Sequence, residues 1–380
     1  MLTAKTLHPR ELTAAESGAW RALAAAHPAF ASPLLGPDFA QAVGDVREDA
    51  RVAIFSRHGD PIAFLPFHAR PGGFARPIGA PLSDYQALVA RSDVRLDGAD
   101  ALTALGLSAF RFNGLLDPHG AFATPLEADK PAYVVRLDRP AADYLEEVRA
   151  ASPKRFKNFR RLASKLDREV GETVVVAPDV SQDAFDTLLA WKRAQFHRTG
   201  GHDVLRPEWT RRLLQSLFEQ RAGAFRGLMI NVYAGGRLVA GHFGVRLGDA
   251  YHPWIASADP ELAPYSPGQT FLWKAIEAMP ALGLKTYDLG PSHDHYKRHY
   301  ALTQVMVGEG LAAAHSPAGR AAGARERVWA LAGASRGTFA GRLRGRLDAI
   351  ATVELSAAGR VRSLVEAFAA QTRRRTVEEV

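Results

Sequence analysis

The chain has 380 residues, 47% of them hydrophobic and 23% charged, with a formal net charge of +8, a balance that fits a globular protein of two domains. It contains no cysteine, which excludes a disulfide framework and any thiolate metal site. Residues 1–20 hold no apolar signal core and no run approaches the ~20 apolar residues of a membrane span, so a cytoplasmic location is expected.

In chain order, a helix is predicted around Ala14–Ala26, then strands at Arg51–Arg57 and Ile62–His68 joined by the turn His58-Gly59-Asp60-Pro61. Asp84-Tyr85-Gln86 follows a Gly79-Ala80-Pro81 turn and so belongs on a loop. Asp84 and Tyr85 are either acceptor-binding residues or part of an ordinary turn with a local Asp cap. Strand-like segments follow at Phe110–Leu115 and Tyr133–Leu137, and one long helix is expected over about 141–169. Within it, Phe156, Phe159, Leu162 and Leu166 form an apolar stripe, and the basic run from Lys154 to Arg168 forms a solvated face or an anion-contacting one.

Helices at Ser181–His197 and Glu208–Gln220 precede strands at Gly227–Tyr233 and Arg237–Leu247, with the turn Ala234-Gly235-Gly236 between them. Alternation puts Val239, Phe243, Val245 and Leu247 on a core face. Leu238, Ala240, His242, Gly244 and Arg246 share the smaller, more polar face, where His242 is either a cleft residue or a satisfied structural histidine. The strand Ala250–Ser257 is interrupted by Pro253, which implies an edge or a bulge, with backbone groups left over for an extended ligand.

The most informative stretch comes next. Ser266 reads as an N-cap, Pro267 as the first helical residue, and Gln269 as the partner of Ser266 in a capping box. Gly268 places no side chain before the free N–H groups, where a pyrophosphate could approach. Leu272, Ala275, Ile276 and Met279 supply one apolar helix face. A short strand, Lys285–Leu289, leads into Asp288-Leu289-Gly290, a polar loop, and His295-Tyr296-Lys297-Arg298-His299-Tyr300. His293, Asp294, His295 and His299 invite a metal reading, with His295 and His299 at i, i+4 spacing. There is no HExxH pattern and no third ligand outside the loop, so no metal is expected and the histidines are read as able to hold an acceptor sugar.

The order strand, Tyr265-Ser266-Pro267-Gly268, helix, Asp288-Leu289-Gly290, Tyr296-Lys297 resembles the GNAT-type acetyltransferases of the CelD/BcsL group. These are relatives of the FemAB enzymes associated with bacterial exopolysaccharide synthesis. Ser32-Pro33 with Phe39, the segment Ile62–Phe67, Asp84-Tyr85-Gln86 and the run from Ser152 to Arg161 extend the resemblance over roughly residues 10 to 310. Where the family has a Gly-rich acidic loop, this chain has Pro291-Ser292-His293-Asp294-His295. The resemblance implies an α/β fold of tandem GNAT-like lobes, at residues 1–140 and 141–317, with mixed sheets flanked by helices. It implies metal-free transfer from acetyl-CoA, or another acyl-CoA, to an amino sugar or lipid-linked glycan.

That chemistry needs a base, an oxyanion donor and a proton source for the thiolate. Asp288 is the first choice as base or amine-orienting carboxylate; a helix cap or a salt bridge to Lys297 is the alternative. The bulged strand around Trp254 and Ile255 would supply backbone N–H groups, Tyr296 would protonate the thiolate, and Lys297 would pair with a phosphate or with Asp288. With Ser266, Pro267, Gly268 and Gln269, Trp254 and Ile255 make the expected cofactor site.

Residues 318–380 hold 12 arginines, no lysine and 6 acidic residues, a basic helical tail with +6 of the net charge. Phe339, Leu343, Leu347 and Ile350 form a stripe, with Arg342 and Arg346 on another side. Arg342-x-x-x-Arg346 with Glu354-x-Ser356-x-x-Gly359 loosely echoes the cyclic-di-GMP signature of PilZ domains, and a basic amphipathic segment also suits an anionic membrane surface. The plainer reading is a helical appendage packed on the second lobe. An aminoacyl-tRNA-dependent transferase and a non-catalytic, nucleotide-responsive scaffold are the other readings, and tRNA is not an expected partner.

Overall fold

A computed structural model describes residues 2–122, 128–199, 202–291, 296–333, 338–355 and 358–365. The first half carries strands β1 (Leu2–Leu7), β2 (Ala50–Arg57), β3 (Asp60–Arg70), β4 (Phe74–Pro77), β5 (Val89–Ala90), β6 (Ala109–Leu115) and β7 (Ala128–Arg136). Its helices are α1 (Ala14–Ala25), α2 (Pro37–Gly44) and α3 (Gly98–Ala104). The second half holds α4 (Ala141–Ala151), α5 (Pro153–Glu169), β8 (Thr173–Val176), α6 (Gln182–Thr199), α7 (Glu208–Glu219), β9 (Phe225–Ala234) and β10 (Arg237–Leu247). It continues with β11 (Ala250–Ala258), α8 (Pro267–Ala278), β12 (Thr286–Pro291) and β13 (Thr303–Ala313), and α9 (Pro317–Leu331) and α10 (Phe339–Val353) follow.

All the strands join one mixed sheet in the order β1-β2-β3-β4-β6-β13-β7-β12-β11-β10-β9-β8, with β5 beside β3. The halves are interleaved rather than abutted. β7, from the first half, lies between β12 and β13, and β13 pairs on its other edge with β6. The mixed α/β architecture read from the sequence is therefore present, built on a continuous sheet.

One face of the sheet is covered by α1, α2, α6 and α7, whose Trp20, Phe39, Phe185 and Leu213 join Phe64, Phe243 and Ile255 in a core common to both halves. The other face is covered in the second half by α4, α5 and α8 and in the first half by α3. Each large apolar side chain so buried contributes about 1.5–3 kcal/mol. The apolar stripe of α8 behaves as its spacing requires: Leu272, Ala275, Ile276 and Met279 are at most 1% exposed.

Two expectations are corrected. The single helix over 141–169 is two, broken at Ser152, whose φ of −146° and ψ of 61° are non-helical. Pro153 disfavours the helical conformation of the residue before it and starts the next helix, where its missing N–H costs nothing. The simple alternation along β10 also fails, because its pairing with β9 slips between Leu238 and Ala240. Val239 consequently packs with Ala240 on the α8 side, while Phe243 and Val245 face α6 and α7.

The tail is docked across both halves, not on the second alone. Arg76 pairs with Asp348 at 2.7 Å, and Arg70 donates to the carbonyls of Ala351 and Thr352. From the second half, the Trp209 indole donates to the Val353 carbonyl at 3.2 Å. Arg342 is exposed and Arg346 half-buried on α10. The acidic member of the nucleotide-like signature, Glu354, is already taken by Arg206 and Ser363, so it is not presented alongside those arginines.

Candidate active site

The site begins with a local failure of β-pairing. Between β10 and β11 the register shifts, Phe243 facing Ile255 and Gly244 facing Pro253, so Trp254 is the extra residue of a bulge. Pro253 has no N–H to donate, and a Cβ on Gly244 would lie 2.1 Å from the His252 carbonyl oxygen. Further along, β11 and β12 pair in parallel only at Ala250–Thr286 and Tyr251–Tyr287 before they separate. The splayed strands anticipated from Pro253 are present.

Helix α8 opens beside this wedge. Ser266 occupies its N-cap position in the left-handed conformation (φ 52°, ψ 54°) and makes no side-chain cap. The expected capping box is absent because a left-handed Ser directs its hydroxyl away from the N–H groups an extended cap would reach. Among these first residues the Gln269 N–H donates to the Ser266 carbonyl, while Gln269 Oε1 is buried without a partner. A Cβ on Gly268 would meet nothing within 4 Å. The positive end of the helix thus faces open space without a side-chain acceptor.

Two chambers meet here. The larger, of about 440 Å³, is lined by Ser266, Pro267, Gly268 and Gln269 of the α8 turn, Ala256–Asp259 of β11 and its continuation, and Trp191 and Arg198 of α6. The smaller, of about 220 Å³, is lined by Asp84, Lys192, Pro253, Trp254, Leu289 and Lys297. Gln195, His242, Ala256 and Tyr296 line both. Trp254, assigned from sequence to the cofactor, lines only the smaller chamber, tilted against Phe39 at 5.8 Å with its indole N–H buried and unpartnered. Ile255 has its side chain in the core, 2% exposed, so only its backbone is near the wedge. His295 lies outside the described residues.

The floor of the smaller chamber is an ionic network that spans the two halves. His252 Nε2 lies 2.9 Å from Asp84 Oδ2, and its Nδ1 lies 3.7 Å from Asp288 Oδ2. Burial alone would lower the His252 pKa, but Asp288 and Asp84 outweigh it and raise the value to about 9. The Tyr85 hydroxyl donates to Asp288 Oδ1 at 2.8 Å, as does the Gly290 N–H. Asp288 therefore sits beneath the chamber with its oxygens engaged and lines neither cavity, whereas Asp84 reaches the chamber with its side chain 37% exposed. The Asp84 loop is clamped to β6 through Gln86, whose Oε1 accepts from the Gly114 N–H at 2.8 Å and whose backbone bonds Gly114 and Leu116.

His242 stands at the junction of the chambers. Its Nδ1 is 2.6 Å from the Tyr287 hydroxyl and its ring packs 4.1 Å from Phe271. Burial, reinforced by Lys297 and Lys192, holds its pKa well below 6.5, so the ring is neutral at pH 7. Lys297 Nζ donates to the Leu289 carbonyl at 2.6 Å, and Lys192 Nζ donates to the Ala256 carbonyl at 3.4 Å. His252, Lys192 and Gln195 were not singled out from the sequence. The helical spacing of Trp191, Gln195 and Arg198 was a usable signal for α6. Nothing local marked His252, whose partner is 168 residues away.

Residues 153–298 match the family model described as Acetyltransferase (GNAT) domain. Together with the splayed sheet and the helix opening on it, this defines a GNAT-type N-acyltransferase domain. Among solved structures the chain is similar to FemX, at 13% identity and a TM-score of 0.48, covering 81% of this chain and 96% of that one. It is also similar to the C-terminal domain of a putative lysylphosphatidylglycerol synthetase from Agrobacterium fabrum, at 12% identity, TM-score 0.46 and coverage of 82% and 96%. A tandem GNAT protein from the clavulanic acid biosynthesis pathway aligns at 11% identity, TM-score 0.46 and coverage of 83% and 99%. No curated protein matches the chain by sequence.

Proposed function

We propose that this protein transfers an acyl group from an acyl-CoA to the amine of an amino sugar. The observation that carries the reading is the meeting of two unlike chambers at His242 and Tyr296. The larger suits the acyl-CoA: its diphosphate lies at the uncapped start of α8, and its extended arm uses the backbone that β11 and β12 leave unpaired. The smaller suits the acceptor, with Asp84 for an ammonium group and the Trp254 face for the apolar side of a sugar ring.

In this scheme Asp84, held by His252, fixes the amine, and neutral His242 takes the proton that the amine must lose. In the tautomer that carries its proton on Nδ1, toward the Tyr287 hydroxyl, His242 presents its lone pair on Nε2. The amine nitrogen then forms the C–N bond as the thioester C–S bond breaks, and Tyr296 supplies the proton to the departing thiolate. Backbone N–H groups of the Trp254 bulge stabilise the oxyanion. Asp288 is a positioning group that keeps His252 charged, a different task from the one its sequence context suggested. An acetyl donor and an acceptor destined for exopolysaccharide are the specific forms of this reading that the family resemblance favours.

The test is calorimetric titration of acetyl-CoA into the protein and a Gly268→Asp variant, followed by turnover with glucosamine. Binding that the variant loses, with acetylglucosamine formed by the parent, is expected. No acetyl-CoA binding at low salt would overturn the reading.

A further inference from the structure

Away from the two chambers, a cavity of about 540 Å³ lies between β4 and the tail, lined by Arg70, Arg76, Arg325 and Arg360 together with Gly72 and Phe74. We propose that this cavity is a second ligand site, which takes a small molecule carrying two or more phosphate charges. None of its arginines belongs to the acyl-transfer site, and neither Arg342 nor Arg346 lines it.

The first argument is charge balance. Three carboxylates nearby, Asp49, Asp348 and Glu326, are shared among the guanidiniums of Arg47, Arg70, Arg76, Arg111 and Arg344. Among the described residues, neither Arg325 nor Arg360 is paired with a carboxylate. The cavity wall therefore holds more guanidinium than carboxylate, and like charges at close range are costly without an anion between them.

The second argument is an unfilled donor. The Arg70 side chain is only 9% exposed, and its Nε is buried without a hydrogen-bond partner although its other nitrogens reach Asp49 and the carbonyls of Ala351 and Thr352. Burial, together with the positive charge of Arg47, Arg360 and Arg76, lowers the Arg70 pKa to about 10 despite Asp49. Burial is the first cause of that shift, and the neighbouring guanidiniums add to it.

The third argument is preorganisation. The guanidiniums of Arg76 and Arg325 lie 5.5 and 5.3 Å from the centroid of the same ring, Phe74, which holds two cations near one another through their attraction to its π-system. Planar guanidinium groups bind phosphate oxygens in bidentate fashion, and several of them around one cavity favour a diphosphate over a single carboxylate. The volume falls in the range of small-molecule sites and exceeds what one phosphate group fills.

The experiment is calorimetric titration of inorganic pyrophosphate into the full chain at low salt, for the parent, Arg325→Ala with Arg360→Ala, and Gly268→Asp. Saturable binding is expected, weakened about tenfold or more in the double variant and unchanged in Gly268→Asp. Loss in Gly268→Asp with retention in the double variant would assign the binding to the acyl-CoA cleft and overturn the proposal. Absence of saturable binding would overturn it as well. Cosedimentation with phosphatidylglycerol and phosphatidylcholine vesicles separates the two sources of phosphate. Arg325-dependent retention on the anionic vesicles that pyrophosphate competes away assigns the site to a headgroup, and none assigns it to a soluble ligand. Thermal melting of Arg325→Ala without phosphate guards against a folding artefact. An equal or higher melting temperature is expected, and a lower one would make Arg325 a structural residue and overturn its role.

Discussion

His252, on a strand of the second half, lies 2.9 Å from the carboxylate of Asp84, on a loop of the first. This bond joins the halves at the smaller chamber, the place proposed above for the acceptor. It also fixes the charge state of the pair, since a buried histidine between two carboxylates keeps its proton.

Stability should fall on the alkaline side. The His252 pKa is raised to about 9 in the folded protein, above the ordinary value of about 6.5 in the unfolded chain. Its contribution is therefore complete below about pH 6.5 and is lost as pH rises through about 9. Denaturant midpoints measured from pH 6 to 10 should decline over that window. A His252→Gln variant should be less stable at pH 6 and show a shallower decline; an equal decline would refute the assignment.

Asp84→Asn should separate the two substrates. With the chamber carboxylate removed, turnover should fall about 100-fold, in the usual range for loss of a proton-handling or orienting group. Acetyl-CoA affinity should stay within about twofold, because the larger chamber does not include this residue. A parallel loss of donor binding would show that the chambers are not independent.

Gly290 has a φ of 73°, and a Cβ there would lie 2.6 Å from Asp84 Oδ2. Gly290→Ala should cost about 1–3 kcal/mol in backbone strain and push Asp84 away from His252. The expected kinetic signature is a raised KM for the amine. Unchanged kinetics, with or without the stability loss, would mean that Asp84 does not position the acceptor.

Tyr85→Phe removes the hydroxyl that donates to the buried Asp288. That oxygen keeps the Gly290 N–H but loses one of its two donors, which should lower stability by about 1–3 kcal/mol, read as a shift in the urea midpoint. The ring itself remains packed against His252 at 5.6 Å, so the loss isolates the hydrogen bond.

The tail should prove integral to the fold. Ile350 is 2% exposed, on the helix whose Val353 carbonyl accepts from Trp209. Ile350→Asp places a carboxylate in an apolar contact and should cost several kcal/mol. A melting temperature unchanged from the parent would show that α10 is an appendage.

Much of this architecture was legible in the chain itself, for local reasons. Pro267 and the i, i+3, i+4 spacing of Leu272, Ala275, Ile276 and Met279 define α8. Pro253 removes a donor and so forces the irregularity in β11, and paired glycines close the β9–β10 turn. The break at Ser152 was also legible, because the proline after it is a local steric signal.

The rest depended on partners distant in sequence. Alternation makes β7 a strand but does not say that it inserts between β12 and β13, since edge selection is settled by packing across the whole sheet. Asp288 and Asp84 are both plausible bases by residue type. Only the fold buries the first under Tyr85 and Gly290 and brings the second to the chamber on His252. Turns, helix starts and amphipathic faces arise between near neighbours and so can be read from local residue order. Which carboxylate meets the smaller chamber is set only when the two halves pack together, because burial and charge are properties of the surroundings and not of the residue.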